Sequence, residues 1–149
     1  MKIYLDLCVY NRPFDNQGQP RIMTETLEFI FLLEKALKRE ITLMNSFALE
    51  EENARNPFIN RKDKIDDLLK CASEYIGYSK GLENRAKEIE KFGIMAMDAL
   101  HIACAEFGRA DFLVTCDDFL VRKGNALKGK LKVSIANLME FVAKEVFKI

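Results

Sequence analysis

Carboxylates are the groups in this chain whose placing could do chemistry. Asp6 follows the apolar run Lys2-Ile3-Tyr4-Leu5, the cluster Glu50-Glu51-Glu52 comes after Ile41-Thr42-Leu43-Met44, and Asp117-Asp118 stand just beyond Phe112-Leu113-Val114-Thr115. Each run is too short for a helix and reads as a buried strand. Asp98 instead opens a helical pattern in which Ala99, Ile102, Ala103 and Phe107 recur at three- and four-residue steps. In open α/β sheets, function collects beyond the carboxyl ends of the strands. Three strand ends and one helix start therefore offer acids to one edge. Gathering like charges there is costly unless a cation or a shared proton relieves it. An all-oxygen set without thiolate or imidazole favours Mg²⁺ or Mn²⁺. Such an ion polarises a phosphoryl oxygen, lowers the pKa of a bound water and steadies a leaving oxygen.

Each acid also has a purely structural alternative. Asp6 could cap the turn after its strand, Asp98 suits the positive end of a helix, and Asp117 or Asp118 could cap a helix starting near Phe119. The three glutamates could form a solvated helix face. The rest of the chain offers no rival apparatus: no GxSxG elbow, no phosphate-binding loop of the GxxxxGK[ST] type, no GxGxxG, and a single histidine. His101, beside the apolar stripe of the Asp98 helix, reads as a partly buried packing or hydrogen-bonding residue. Hydrolysis of a phosphodiester by metal-activated water is the chemistry these parts support.

The elements that must position the acids alternate along the chain. Strands are expected at about 2–6, 41–44, 112–115 and 133–135. Residues 10–20 form a loop by composition, with Pro20 suited to a first helical turn. A helix follows to about Lys38, with Met23, Leu27, Ile30, Leu33 and Leu37 on one face. Ser46 can cap a helix over 47–54, which Asn56-Pro57 ends. A further helix is expected over 61–76, burying Ile65, Leu68, Leu69, Ala72 and Ile76. Ser79 can cap another to about Lys91. Gly108 is expected to turn left-handed and stop the Asp98 helix. A turn of helix near 118–123, a basic loop over 123–132 and a closing amphipathic helix over 137–147 complete the reading. Interleaved strands and helices predict a three-layer α/β/α arrangement around a parallel sheet of four to five strands, in one domain spanning 1–149.

Charge and composition narrow the partners. Lys+Arg and Asp+Glu balance at 23 each, so no global field attracts a polyanion. Any nucleic-acid contact must use local basic patches. The candidates are Arg12 and Arg21, then Arg55, Arg61, Lys62 and Lys64, then Arg122, Lys123, Lys128 and Lys130. Four scattered cysteines without a CxxC pair do not form a zinc framework and read as reduced thiols. A chain that opens on a strand leaves no room for a secretory leader, and no apolar run approaches the roughly 18 residues of a membrane span. A cytoplasmic location is expected.

With these residues placed, the chain resembles the PIN-domain nucleases. The resemblance is carried by Asp6 ending the first strand, the helix that Ser46 opens and that bears the glutamates, the "MDALHIACA" helix and the "FLVTCDD" strand end, in that order over essentially the whole chain. It implies a small metal-dependent endoribonuclease, similar to VapC-like toxins of toxin–antitoxin pairs, acting on RNA with Mg²⁺ or Mn²⁺. It implies metal-site and catalytic acids at Asp6, Glu52, Asp98 and Asp117, with Asp118 as a supporting or substitute ligand. Glu52 is preferred because the family's acid falls six residues after the position of Ser46; Glu50 stays open. Thr115 matches a hydroxyl residue that bonds substrate phosphate or orients a ligand. Where the family has small polar residues after the first Asp, this chain has Leu7 and Cys8, which removes a supporting hydroxyl. Asn11 and Arg12 could supply the missing substrate contacts. An antitoxin protein and a homodimer are the partners implied. A receiver-type Mg²⁺-binding regulator and a non-catalytic PIN-like binding module are the alternatives.

Overall fold

The computed structural model describes residues 1–147. Five strands form one parallel sheet in the order β3-β2-β1-β4-β5: β1 (Lys2–Leu5), β2 (Thr42–Ser46), β3 (Glu74–Ile76), β4 (Phe112–Thr115) and β5 (Ser134–Asn137). Tyr4 of the central strand lies opposite Met44 on one side and Leu113 on the other. Its neighbours Ile3 and Leu5 are fully buried as well. Alternate residues of a strand face opposite sides, so burial of the whole run means that both faces of the sheet are covered. Burying each such aliphatic side chain contributes about 1.5–3 kcal/mol.

Parallel neighbours require crossover connections, and helices supply them. They are α1 (Leu7–Asn11), α2 (Pro20–Leu37), α3 (Phe47–Ala54), α4 (Ile59–Leu69), α5 (Lys80–Glu90), α6 (Ala96–Phe107), α7 (Asp118–Ala126) and α8 (Leu138–Phe141), the last continued by a π-helical turn over Val142–Val146. α5 packs on α6, α2 on α8, and α3 against both α4 and α6. The caps are those the sequence offers: the Ser46 hydroxyl accepts from Leu49 N, Ser79 from Leu82 N, and Asp117 from Phe119 N and Leu120 N. Among the described residues, no helix is long and apolar enough to cross a membrane.

Four expectations are corrected. The helix expected over 61–76 ends at Leu69, and Glu74–Ile76 is a strand pairing in parallel with β2. Ala72 and Ile76 continue the three- and four-residue spacing of Ile65, Leu68 and Leu69, so the apolar period runs on past the end of α4. The three-residue edge strand is too short to show an alternation of its own. On α2 the buried residues are Glu25, Thr26, Phe29 and Leu32, whereas Met23, Leu27, Ile30 and Leu37 are exposed. That helix is apolar on more than one face, so periodicity alone could not say which face the sheet takes. Gly108 has φ −81° and the left-handed residue is Arg109 at φ 58°. A Cβ at Gly108 would lie 1.9 Å from Met44 Cε, so the glycine serves close packing of α6 on the sheet. Finally, Phe107 is exposed while Ala99, Ile102 and Ala103 are buried.

Candidate metal centre

The strand order reverses at β1, whose neighbours β2 and β4 are reached by crossovers in opposite directions. Ligands of open α/β sheets sit in the crevice beyond the carboxyl ends at such a point. Asp6 directly follows β1, and its Oδ1 accepts from Leu7 N at 2.8 Å to cap α1. Its Oδ2 accepts from the Thr115 hydroxyl at 2.9 Å, from the end of neighbouring β4. Thr115 Oγ1 also accepts from Asp117 N at 3.0 Å. One buried hydroxyl thereby locks the first acid and orients the turn that carries the last.

Cys8 corrects the expectation that its position lacks a supporting group. Its thiol lies 3.5 Å from Asp6 Oδ2 and 3.3 Å from Thr115 Oγ1, and its sulfur accepts from Cys116 N at 3.3 Å. A hydrogen bond with Cys116, then burial and the charge of Asp6, push the Cys8 thiol well up, so it stays protonated and able to donate. The thiol does the task expected of a hydroxyl.

Glu52 and Glu50 part company. Glu52 Oε1 lies 2.7 Å from His101 Nε2, whereas Glu50 accepts from the Tyr75 hydroxyl at 2.8 Å and from Asn45 Nδ2 at 3.4 Å. Asp6, Glu52 and His101 each offer an atom, and these atoms lie within 4.8 Å of one another. Both nitrogens of His101 are already committed, Nε2 to Glu52 and Nδ1 to the Tyr4 hydroxyl at 2.6 Å, which itself meets Ser46 Oγ at 2.7 Å. Burial lowers the affinity of the ring for its proton. The bond to Glu52 and the charges of Asp6, Glu52 and Asp98 more than offset this, and the pKa is raised. With both ring nitrogens engaged in these bonds, His101 holds Glu52 in place. His101 is fully buried, beyond the partial burial expected from sequence, in the hydrogen-bonding role expected for it.

Asp98 sits in the first turn of α6 and is half-buried. Burial first, then the charge of Asp6, push its carboxyl up to about 6 against the opposing pull of His101, with Asp117 and Glu52 adding to the rise. Asp98 thus feels the charges of acids from three other segments, while Asp117 is itself exposed and caps α7.

The remaining expected residues lie elsewhere. Asp118 is gripped by Arg21, with Nη1 at 2.8 Å and Nη2 at 2.9 Å, and accepts from Asn137 Nδ2 at 3.1 Å. Arg12 is tied to Asp15 and to Glu25 at 2.8 and 2.9 Å. Asn11 donates to Leu7 O at 3.1 Å and faces Arg61 Nη1 at 3.4 Å through its oxygen. The fully buried Glu25, held by Arg12 and Arg21, went unnoticed in the sequence. An acid between apolar positions of a long helix was its one mark.

No family model matches the sequence, and no curated protein matches it. Among solved structures, the chain is similar to one in the crystal structure of VapBC2 from Rickettsia felis bound to a DNA fragment from their promoter, with 18% identity, a TM-score of 0.53, and coverage of 92% of this chain and 98% of that chain. The fold is PIN-like. Its strand order, 3-2-1-4-5, differs from the 2-1-3-4-5 order of receiver-type sheets, which removes the regulator reading.

Proposed function

We propose that this chain is a Mg²⁺- or Mn²⁺-dependent endoribonuclease whose metal is held by Asp6, Glu52, Asp98 and Asp117. The observation that supports the reading is the approach of Asp6 and Glu52 beside His101, within 4.8 Å at the switch point of the sheet, with Asp98 close enough for their charges to help push its carboxyl up to about 6. The donor set fits a hard divalent cation: carboxylate oxygens only, once His101 is committed to Glu52 and Tyr4. A bound ion would supply Lewis-acid stabilisation of phosphoryl charge and activation of the attacking water. The chain does the rest. Thr115, Cys8 and Leu7 N fix both oxygens of Asp6, and His101 fixes Glu52. Asp118, tied to Arg21, supports the turn of Asp117 rather than serving as a ligand.

Asp98→Asn should leave the fold intact and abolish Mn²⁺-dependent cleavage of a mixed-sequence RNA, followed on a denaturing gel. Chelation by EDTA should silence the unaltered protein. Undiminished cleavage in either case removes the proposal. The VapBC2 structure is one bound to a DNA fragment from their promoter, and from that likeness we extend the reading to a cytoplasmic toxin that pairs with an antitoxin and forms a homodimer. Co-purification with the product of the adjoining upstream gene, and light scattering of the isolated chain, test those two extensions.

A further inference from the structure

Beside the acids, and sharing Glu52 and Cys8 with their surroundings, runs an open groove of about 510 Å³. Its far wall is the α3–α4 connection, residues 55–58 (Arg-Asn-Pro-Phe), together with Arg61. Three observations there are not explained by the fold. Phe58 is 62% exposed and its neighbour Ile59 71% exposed, an apolar pair standing in solvent next to a charged site. The Arg61 guanidinium lies 5.2 Å from the centre of the Phe58 ring, and both side chains line the groove. Arg55, also exposed, makes no side-chain ion pair or hydrogen bond among the described residues; its backbone N–H alone is bonded, to Glu52 O at 3.1 Å.

The wall is built rather than loose. Arg61 is held by Asp15 at 3.0 Å and by Phe14 O at 2.6 Å, and Asn56 Oδ1 accepts from Phe58 N at 3.1 Å. We infer that this groove binds unpaired RNA, with one base stacked on Phe58 and the adjoining phosphate on Arg55, so that the backbone passes Glu52 on its way to the acids. The inference rests on the nuclease reading and assigns the seating of its RNA beside Glu52 to Phe58 and Arg55. A flat aromatic ring backed by a guanidinium accepts any base with a free π-face, and a base inside a duplex has none. The volume lies within the roughly 300–1,000 Å³ of small-ligand sites. The pairing of an aromatic platform with a free cation is the combination that tracks single strands, and here it lines the same groove as Glu52.

The test uses a short single-stranded RNA carrying 2-aminopurine, bound to the Asp98→Asn protein so that it survives, beside the same strand annealed to its complement. Quenching on binding is expected for the single strand, with the duplex binding more weakly. Phe58→Ala should weaken binding roughly tenfold or more, the ordinary loss of one stacked base. Phe58→Trp should restore it, and Arg55→Gln should flatten its salt dependence. Unchanged affinity and no quenching change in Phe58→Ala would overturn the inference. So would a Phe58→Ala protein that keeps its RNA affinity but loses self-association, which would make the patch a protein contact. If the unaltered protein cleaves RNA while Phe58→Ala binds normally, only the groove assignment falls. If Phe58-dependent binding persists in a protein that cleaves nothing, the groove stands and the nuclease reading falls.

Discussion

Thr115 is a residue whose part in the site exceeds its chemistry. Its hydroxyl donates to Asp6 and accepts from the backbone before α7, joining the ends of two strands. The sequence offered two roles for it, phosphate contact or ligand orientation, and the geometry supports the second. Thr115→Val keeps the shape and removes both bonds. It should weaken Mn²⁺ binding by roughly 10–100-fold, the usual cost of losing a group that orients a ligand, as read by calorimetry; unaltered affinity would contradict the role. Glu28, on α2, makes a separate prediction. One carboxyl oxygen is buried without a partner, and burial, then Glu25, push its pKa from 4.5 up to about 7. A folded pKa above the unfolded one gives stability that is full below pH 4.5 and lost as pH rises through about 7. Glu28→Gln should therefore gain about 1 kcal/mol at pH 8, after allowance for solvent screening, and almost nothing at pH 4. Equal gains at both pH values in urea titrations would count against it. The places of the acids after β1, in α3, at the start of α6 and before α7 were legible because apolar runs mark the neighbouring elements. The Tyr4–His101–Glu52 chain was not, since nothing in the spacing of residues 4, 52 and 101 says that they meet.

Elements were legible where a local rule sufficed. Ser46, Ser79, Pro20 and the apolar runs announced their helices and strands through caps and period, which depend on neighbours only a few residues away. Where tertiary packing decided, the sequence misled: the face that α2 buries, the short edge strand β3, and the reason for Gly108. Gly124 belongs to the same class. Expected in a basic loop, it lies within α7, and a Cβ there would stand 2.7 Å from Ile135 Cδ1 and 2.8 Å from Ile135 Cβ. Ile135 belongs to β5 and its Cβ cannot swing away. Gly124→Ala should cost roughly 1–3 kcal/mol through overpacking, lowering Tm by several degrees in a thermal melt and disturbing the seat of Asp117. A melt unchanged within about one degree would show that α7 has room to shift.

At the scale of the molecule, alternation of strands and helices declared a parallel sheet, but not its order. Pairing of β1 with β4 joins Leu5 to Val114, far apart along the chain, and only the folded sheet reveals it. That order sets the end of β1, with Asp6, beside the end of β4, with Asp117 two residues on, at the point where the sheet reverses. Nuclease activity of the kind proposed depends on the crevice there holding a divalent ion. Anomalous diffraction from crystals grown with Mn²⁺ tests it most directly. A manganese peak within coordination distance of Asp6, Glu52, Asp98 and Asp117, and absent from the Asp98→Asn protein, is predicted. A crevice without a peak at saturating Mn²⁺, with the four carboxylates turned apart, would contradict it.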